Sequence, residues 1–479
     1  MNYGMIFYVL GMILNFEALF MLPSLVVALI YGEWAGMSIL TTIVICLALG
    51  ILAVFRKPQK KTIYAREGFV IVALAWFVMS IFGALPFRIS GYIPHMVDAV
   101  FETASGFTTT GSSILSDVEV LPKCLLFWRS FTHWIGGMGV LVFVIAVVPL
   151  AGGSNMYLMK AESPGPSVKK LVPKVKHTAV TLYVMYLMIT LIQFLCLMVA
   201  RMPVFDALTT TFGTAGTGGF GIRNSSMGDY TIAQQVIVTV FMILFGINFN
   251  VYYLIYKKKF KEILKCSEVI VYLSIIAASI VLISINISGM YSSTGLAVKD
   301  AAFQVGSIIT TTGFSSTDFN LWPSFSKTVL VLLMFVGACA GSTGGGIKVS
   351  RIVIIFKTVV KELDYFVHPN NVKKIKVDGH QLEHTVLRSV NVFIMAYLFI
   401  FVTSMLIISL DNFGFETNFT AVAATLNNIG PGLAGVGPAA NFGAYSTLSK
   451  VVLTFDMLAG RLELFPVLIL FSWRTWRNR

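Results

Sequence analysis

Charge is what this sequence has least of. Of its 479 residues only 12% are Asp, Glu, Lys or Arg, while 56% are hydrophobic. A soluble domain carries about a quarter charged residues. The deficit runs the whole length, and the mean hydropathy is +0.82. This excludes a soluble globular protein with charged helix faces and leaves a polytopic membrane protein. At about 20 apolar residues per spanning helix, the chain has room for roughly ten spans plus loops.

Cysteine is scarce as well. Cys46, Cys124, Cys196, Cys266 and Cys339 stand in or beside apolar segments with no pairing pattern. They read as reduced core residues, not as a disulfide framework. The first residues lack a basic n-region and a small-residue cleavage site, so they read as a first span. The net charge of +13 would suit a nucleic-acid partner if it covered a surface. The basic residues instead cluster in a few connections between apolar spans, which is the positive-inside pattern. The partner that composition indicates is the lipid bilayer, and nucleic acid is excluded.

Spans are expected at about 5–30, 36–55, 68–87, 123–150, 178–200, 232–256, 268–289, 326–356, 385–410 and 447–472. If they alternate, the basic stretches 56–61, 169–176, 257–265, 357–376 and 474–479 all fall on one side. That side is expected to be cytoplasmic, with both termini inside.

The opposite side carries a repeated segment. It reads DAVFETASGFTTTG from Asp98 to Gly111, DALTTTFGTAGTGG from Asp206 to Gly219 and DAAFQVGSIITTTG from Asp300 to Gly313. A weaker copy, FTAVAATLNNIGPG, runs from Phe419 to Gly432. Each apolar part is too short to cross a bilayer and suits a re-entrant helix. Irregular backbone at membrane depth must be buried in protein or line a watery cavity, so the four copies should face one another. The expected fold is an all-α polytopic membrane protein. Two leading transmembrane helices (1–62) precede four membrane–pore–membrane repeats (63–165, 166–258, 259–365 and 366–479) around one pseudo-four-fold ion pathway.

Aligned on glycine, the loops read Thr108-Thr109-Thr110-Gly111, Gly216-Thr217-Gly218-Gly219, Thr310-Thr311-Thr312-Gly313 and Ile429-Gly430-Pro431-Gly432. Small residues also let membrane helices pack closely, but four glycine-aligned copies on one side go beyond that need. Glycine lets backbone approach an axis, and rings of carbonyl oxygens can replace a cation's hydration shell. The loops lack a carboxylate ring, which disfavours Ca²⁺ and Mg²⁺ and suits a weakly hydrated monovalent cation. Asp98, Asp206 and Asp300 open the short helices, either as caps or as a charge that draws cations to the mouth.

Two further features lie deeper. The span at 326–356 is interrupted by GACAGSTGGGIK (337–348), whose small-residue run Gly341, Ser342, Thr343, Gly344, Gly345, Gly346 cannot hold a helix. A broken membrane helix marks either an ion path or a packing kink. Its GxxxxG spacing fails as a phosphate loop, because Ile347 precedes Lys348 and no hydroxyl residue follows that lysine. Arg461 stands within the last span, either paired with Asp456 or Glu463 or facing the path. Arg129 and His133 share one face of the span at 123–150 and read as structural. Lys348 and Arg351 follow the small-residue run and read as a place where cytosolic signals act. His380, Glu383 and His384 spell a zinc-hydrolase spacing, but with no third ligand or enclosing domain. A membrane-embedded metalloenzyme is therefore a remote alternative.

Taken together, TTTGSS, TAGTGGFG, TTTGFSS, NNIGPGLAG and GRLELFP, with the two leading spans, resemble the superfamily of Trk, Ktr and HKT potassium transporters. The resemblance covers nearly the whole chain and is to the TrkH-type membrane subunit of bacteria and archaea. It implies K⁺ uptake across the cytoplasmic (inner) membrane, no enzymatic activity and no bound cofactor besides the transported ion. It places the filter at Thr109, Thr110, Gly111, Thr217, Gly218, Gly219, Thr311, Thr312, Gly313, Ile429, Gly430, Pro431 and Gly432. The ion would contact Thr110, Gly111, Gly218, Gly219, Thr312 and Gly313. The resemblance also implies a gate of Gly341–Gly346 and Lys348, with Arg461 as an electrostatic barrier. Its implied partners are a second copy of the chain and a cytosolic, nucleotide-binding ring of the TrkA type. Serine at the first filter position accompanies sodium passage in some plant members, and here it is Gly111. The fourth loop departs from the pattern at Pro431. A less selective K⁺/Na⁺ route and a proton-coupled symporter stay open as alternatives.

Overall fold

The computed structural model describes residues 1–55, 58, 64–147, 175–370, 374–378 and 380–477. Parts of the basic stretches at 56–61, 169–176, 357–376 and 474–479 lie outside the described residues, as do the repeat boundaries near 62 and 165. Six helices among the described residues are long and apolar enough to cross a membrane: Tyr3–Tyr31, Gly36–Phe55, Arg66–Ser90, Thr181–Val199, Ser267–Met290 and His384–Asp411. Their composition explains them, because a helix satisfies its own backbone where no water is present. Lys123–Val147 adds another 25-residue helix.

Helices Tyr3–Tyr31 and Gly36–Phe55 form the leading hairpin. They approach closely at Gly11, where a Cβ would meet Gly50 O at 2.9 Å and Ala53 Cβ at 2.5 Å. Small residues at such a crossing gain dispersion contact that larger ones forfeit.

Three expected spans are broken. The stretch read as one span at 232–256 is two helices, Ile232–Phe245 and Phe249–Tyr256, bent by 91°. The backbone freed at the bend is used by the next repeat: Cys339 N donates to Gly246 O and Phe249 N to Gly341 O, both at 3.0 Å. The stretch at 326–356 divides into Ser324–Phe335 and Val349–Val367, with 336–348 non-helical between them. Its second helix runs to Val367, eleven residues beyond the expected end, and a small hairpin pairs Lys376–Val377 with His380–Gln381. The last span breaks after Arg461, where Glu463 and Leu464 take φ of 54° and 70°.

The four short helices are Met96–Phe107, Val204–Ala215, Thr294–Ile309 and Phe415–Leu426, of 12, 12, 16 and 12 residues. Twelve residues span about 18 Å, well short of a hydrocarbon core of about 30 Å. Their last turns are buried, and they sit inside the bundle.

Candidate functional site

Each short helix ends in the same backbone figure. Thr109, Thr217, Thr311 and Asn428 take left-handed φ values of 54°, 54°, 58° and 56°. Two residues on, Gly111, Gly219, Gly313 and Gly430 take 83°, 76°, 84° and 102°. The amide between them reaches back into its own helix. Thr110, Gly218, Thr312 and Ile429 donate to the carbonyls of Ser105, Gly213, Ser307 and Ala424, each at 2.8 Å.

This register corrects one assignment: the fourth equivalent glycine is Gly430, not Gly432. Gly432 has turned off behind the helix, where its amide donates to Val436 O at 2.7 Å and a Cβ would meet Thr420 Oγ1 at 2.7 Å. Asparagine tolerates left-handed backbone better than most residues, so Asn428 makes the turn two positions before the Gly432 alignment implies. The fourth loop is therefore Asn427-Asn428-Ile429-Gly430, with Pro431 just beyond it.

The four glycines close a ring. A Cβ on Gly111 would lie 2.1 Å from Gly218 O, on Gly219 2.0 Å from Thr312 O, and on Gly313 2.0 Å from Ile429 O. On Gly430 it would lie 2.8 Å from Thr110 O. Each loop thus rests its glycine on the next loop's backbone, and both the contact and the positive φ require glycine. All four glycines line one cavity, together with Ser112, Arg129, Phe220, Ser315 and Pro431.

The loops beyond the ring are tied in the same cyclic order. Val118 N donates to Asn224 Oδ1 (2.9 Å), Met227 N to Ser315 O (2.9 Å), Ala434 N to Asn320 Oδ1 (2.9 Å) and Phe442 N to Ser113 O (2.8 Å).

Loop composition follows from what packs behind it. In loops one and three the threonine hydroxyls pair within the loop, Thr108 with Thr110 at 2.8 Å and Thr310 with Thr312 at 2.7 Å. In loop two those positions are Gly216 and Gly218, because the neighbouring helix fills the space. A Cβ at Gly216 would meet His133 O at 2.2 Å, and one at Gly218 the His133 ring at 2.2 Å. The Phe220 amide donates to His133 Nε2 at 3.1 Å, so Nδ1 carries the proton and donates to Gly106 O at 2.8 Å. One imidazole thereby joins the end of the first short helix to loop two. Beside it Arg129 pairs with Glu102 at 2.6 Å, donates to Gly221 O at 2.8 Å and lies 3.5 Å from the Phe220 ring centroid. Both ionic side chains are buried. Glu102 also accepts from Ser113 Oγ and Ile114 N. The sequence points to Arg129 and His133 but not to Glu102, although an acid one turn into an apolar short helix, beyond Asp98 at its start, is a signal.

The interrupted stretch 337–348 lies against the other face of the loops. Gly345 N donates to Thr311 Oγ1 at 2.6 Å, and Thr343 Oγ1 donates to Phe245 O at 3.3 Å. Cβ atoms on Gly344 and Gly345 would meet Thr310 O at 3.0 Å and Asn427 O at 2.6 Å. Lys348 and Arg351 are turned inward. Lys348 Nζ donates to the carbonyls of Gly344 and Gly345, and Arg351 pairs with Glu463. Glu268 accepts from Ala340 N at 2.7 Å and Ser350 N at 3.1 Å, anchoring both ends of the stretch.

Arg461 joins these parts. Its guanidinium donates to Thr109 Oγ1 (3.0 Å), Thr343 O (2.8 Å) and Gly136 O (2.7 Å). The local acids are engaged elsewhere, Asp456 with Ser404 Oγ at 2.7 Å and Glu463 with Arg351.

Asp98, Asp206 and Asp300 do not stand at the cap positions, which are His95, Pro203 and Ser293. Asp98 and Asp206 tether their helices to cations, Lys450 (2.7 Å) and Arg223 (3.3 Å), while Asp300 pairs with its helix neighbour Lys299 (2.8 Å) and accepts from Ser316 Oγ at 2.7 Å. Among the described residues no three His, Cys, Asp or Glu side chains come together as metal ligands.

Comparison with known proteins agrees with this architecture. A family model for TrkH, described as a cation transport protein, matches residues 35–278 and 269–476. The chain is 37% identical to the Trk system potassium uptake protein TrkH of Salmonella typhimurium, over 100% of both chains. It is 33% identical to TrkG of Escherichia coli K12, over 98% of this chain and 97% of that one. The crystal structure of the potassium transporter TrkH from Vibrio parahaemolyticus superposes with a TM-score of 0.89, at 35% identity and full coverage of both chains. These relatives are transport proteins, not enzymes. A multi-pass helical chain with this ring of loops, matched along its whole length, belongs to the TrkH family of cation transport proteins.

Proposed function

We propose that the chain carries K⁺ uptake across the cytoplasmic membrane as the membrane subunit of a Trk system. The observation that carries this reading is the closed ring of Gly111, Gly219, Gly313 and Gly430, each resting on the next loop's backbone. The ring's neutral oxygens suit a weakly hydrated cation. In this reading Thr109, Thr110, Thr217, Gly218, Thr311, Thr312, Asn428 and Ile429 complete the filter, Pro431 lines the cavity beside it, and Gly432 supports it from behind.

Gating is assigned to residues 337–348. In the described conformation, Gly345 N and the Arg461 guanidinium occupy the hydroxyls of Thr311 and Thr109 from below. A cation leaving the filter would meet a fixed positive charge and a plug of backbone. Opening requires the Gly341–Gly346 run to withdraw. Lys348, bound to the run's own carbonyls, stiffens it.

The relatives are named as parts of a Trk potassium uptake system. This reading therefore includes a cytosolic nucleotide-binding ring of the TrkA type that works the gate, a homodimer of the membrane chain, and both termini on the cytoplasmic side.

The test is rubidium flux into vesicles holding the pure chain. Selective flux that Gly111→Ser and Gly313→Ser make leakier to sodium supports the filter; unchanged selectivity in both sinks it.

A further inference from the structure

The ring is not four-fold, and its odd seam lies between loops four and one. Three seams have the next loop's carbonyl 2.0–2.1 Å from the would-be glycine Cβ; the fourth, Gly430 against Thr110, has 2.8 Å. Gly430 also takes the largest φ of the four, 102°, and the following Pro431 restricts its backbone. The looser seam is bridged by two side chains. Ser112 Oγ donates to Gly430 O at 3.0 Å, and Asn428 Nδ2 donates to Thr110 Oγ1 at 2.9 Å. The residues matching Ser112 in the other loops are Phe220, Phe314 and Pro431, none of which has a hydroxyl to offer. Ser112 is 1% exposed, Asn428 fully buried, and Ser112 lines the ring's cavity.

We infer that Ser112 is a positioning residue for ion selectivity: its hydroxyl fixes the Gly430 carbonyl and so sets the width of the one loose seam. This rests on the filter reading above. A carbonyl that can swing inward can close on a smaller ion. Holding it outward keeps the coordination cage at the size of the larger, weakly hydrated cation. The hydrogen bond acts through Gly430 and touches no ion itself. Asn428 holds the inner edge of the same seam, and its amide also donates to Met457 O at 2.8 Å, which fixes the seam to the last helix.

The experiment compares rubidium with sodium flux in proteoliposomes for Ser112→Ala, Ser112→Thr and the wild type, beside Gly219→Ser. Ser112→Ala is expected to lower the rubidium-to-sodium ratio about five-fold, the equivalent of one neutral hydrogen bond. Ser112→Thr, which keeps the hydroxyl, is expected to restore it. A ratio unchanged in Ser112→Ala while Gly219→Ser loses selectivity overturns the role of Ser112 and leaves the filter standing. A ratio unchanged in both overturns the filter reading, and this inference with it. Loss of total flux at constant ratio means a merely structural role and also overturns it. If Ser112→Ala does not accumulate in membranes, Ser112→Cys, a weak donor, carries the same comparison.

Discussion

Arg461 holds the Thr109 hydroxyl at 3.0 Å with the same Nη1 that holds the Thr343 carbonyl at 2.8 Å. One nitrogen thus couples the first loop of the ring to the interrupted stretch beneath it. Replacing Arg461 with glutamine removes the charge and loosens both contacts. Rubidium flux is expected to rise roughly ten-fold, the equivalent of about 1.4 kcal/mol of electrostatic barrier removed. Arg461→Lys keeps the charge and should stay close to wild type. Equal flux in all three proteins would remove the arginine from the conduction pathway.

Shortening the stretch by deleting Gly344–Gly346 removes the Gly345 N–H bond to Thr311 and both carbonyl acceptors of Lys348. Open flux should rise in vesicles without any partner. Flux that falls or stays level would count against the gate.

Glu102 and Arg129 are a buried pair, so losing one partner should cost about 3–5 kcal/mol. Glu102→Gln and Arg129→Met are each expected to lower the thermal midpoint in detergent sharply. The double variant should lose less than the sum of the two. Strict additivity in the double-mutant cycle would show that the pair is not coupled.

His133 makes two hydrogen bonds that join the end of the first short helix to loop two. His133→Leu leaves Phe220 N unmet, at about 1–3 kcal/mol for a buried group, and takes from Gly106 O one of its donors, Thr109 N remaining at 3.1 Å. His133→Gln can meet only one of them well and should fall between. The measurement is the same detergent melt, read beside flux. No change in either variant would mean that water serves both groups.

Much of this arrangement was legible in the chain. The motif TTTG, present twice, and GTGG announced three quarters of the ring, and the lack of charge announced the bilayer. The fourth quarter was misread by two residues because both Gly430 and Gly432 offered a match; the left-handed preference of asparagine at Asn428 was the overlooked signal. The glycines of loop two were unexplained, since their cause, His133, comes from a helix far off in sequence. The aspartates read either as caps or as charge at the mouth because they open short helices, while the partners of Asp98 and Asp206, Lys450 and Arg223, come from other segments. The 91° break at 246–248 was hidden because its freed backbone groups are met by Cys339 and Gly341 of another repeat. Local patterns show what a segment prefers, whereas such long-range partners appear only once the chain is folded.

The Ser112 to Gly430 bond has a consequence for how such a pathway can diversify. An assembly of four identical subunits would carry any hydroxyl at that place four times or not at all. A single polypeptide with four unequal quarters can place it once, at the one seam that is loose. Its preference among ions can then drift by single substitutions in one quarter while the other three keep the ring closed.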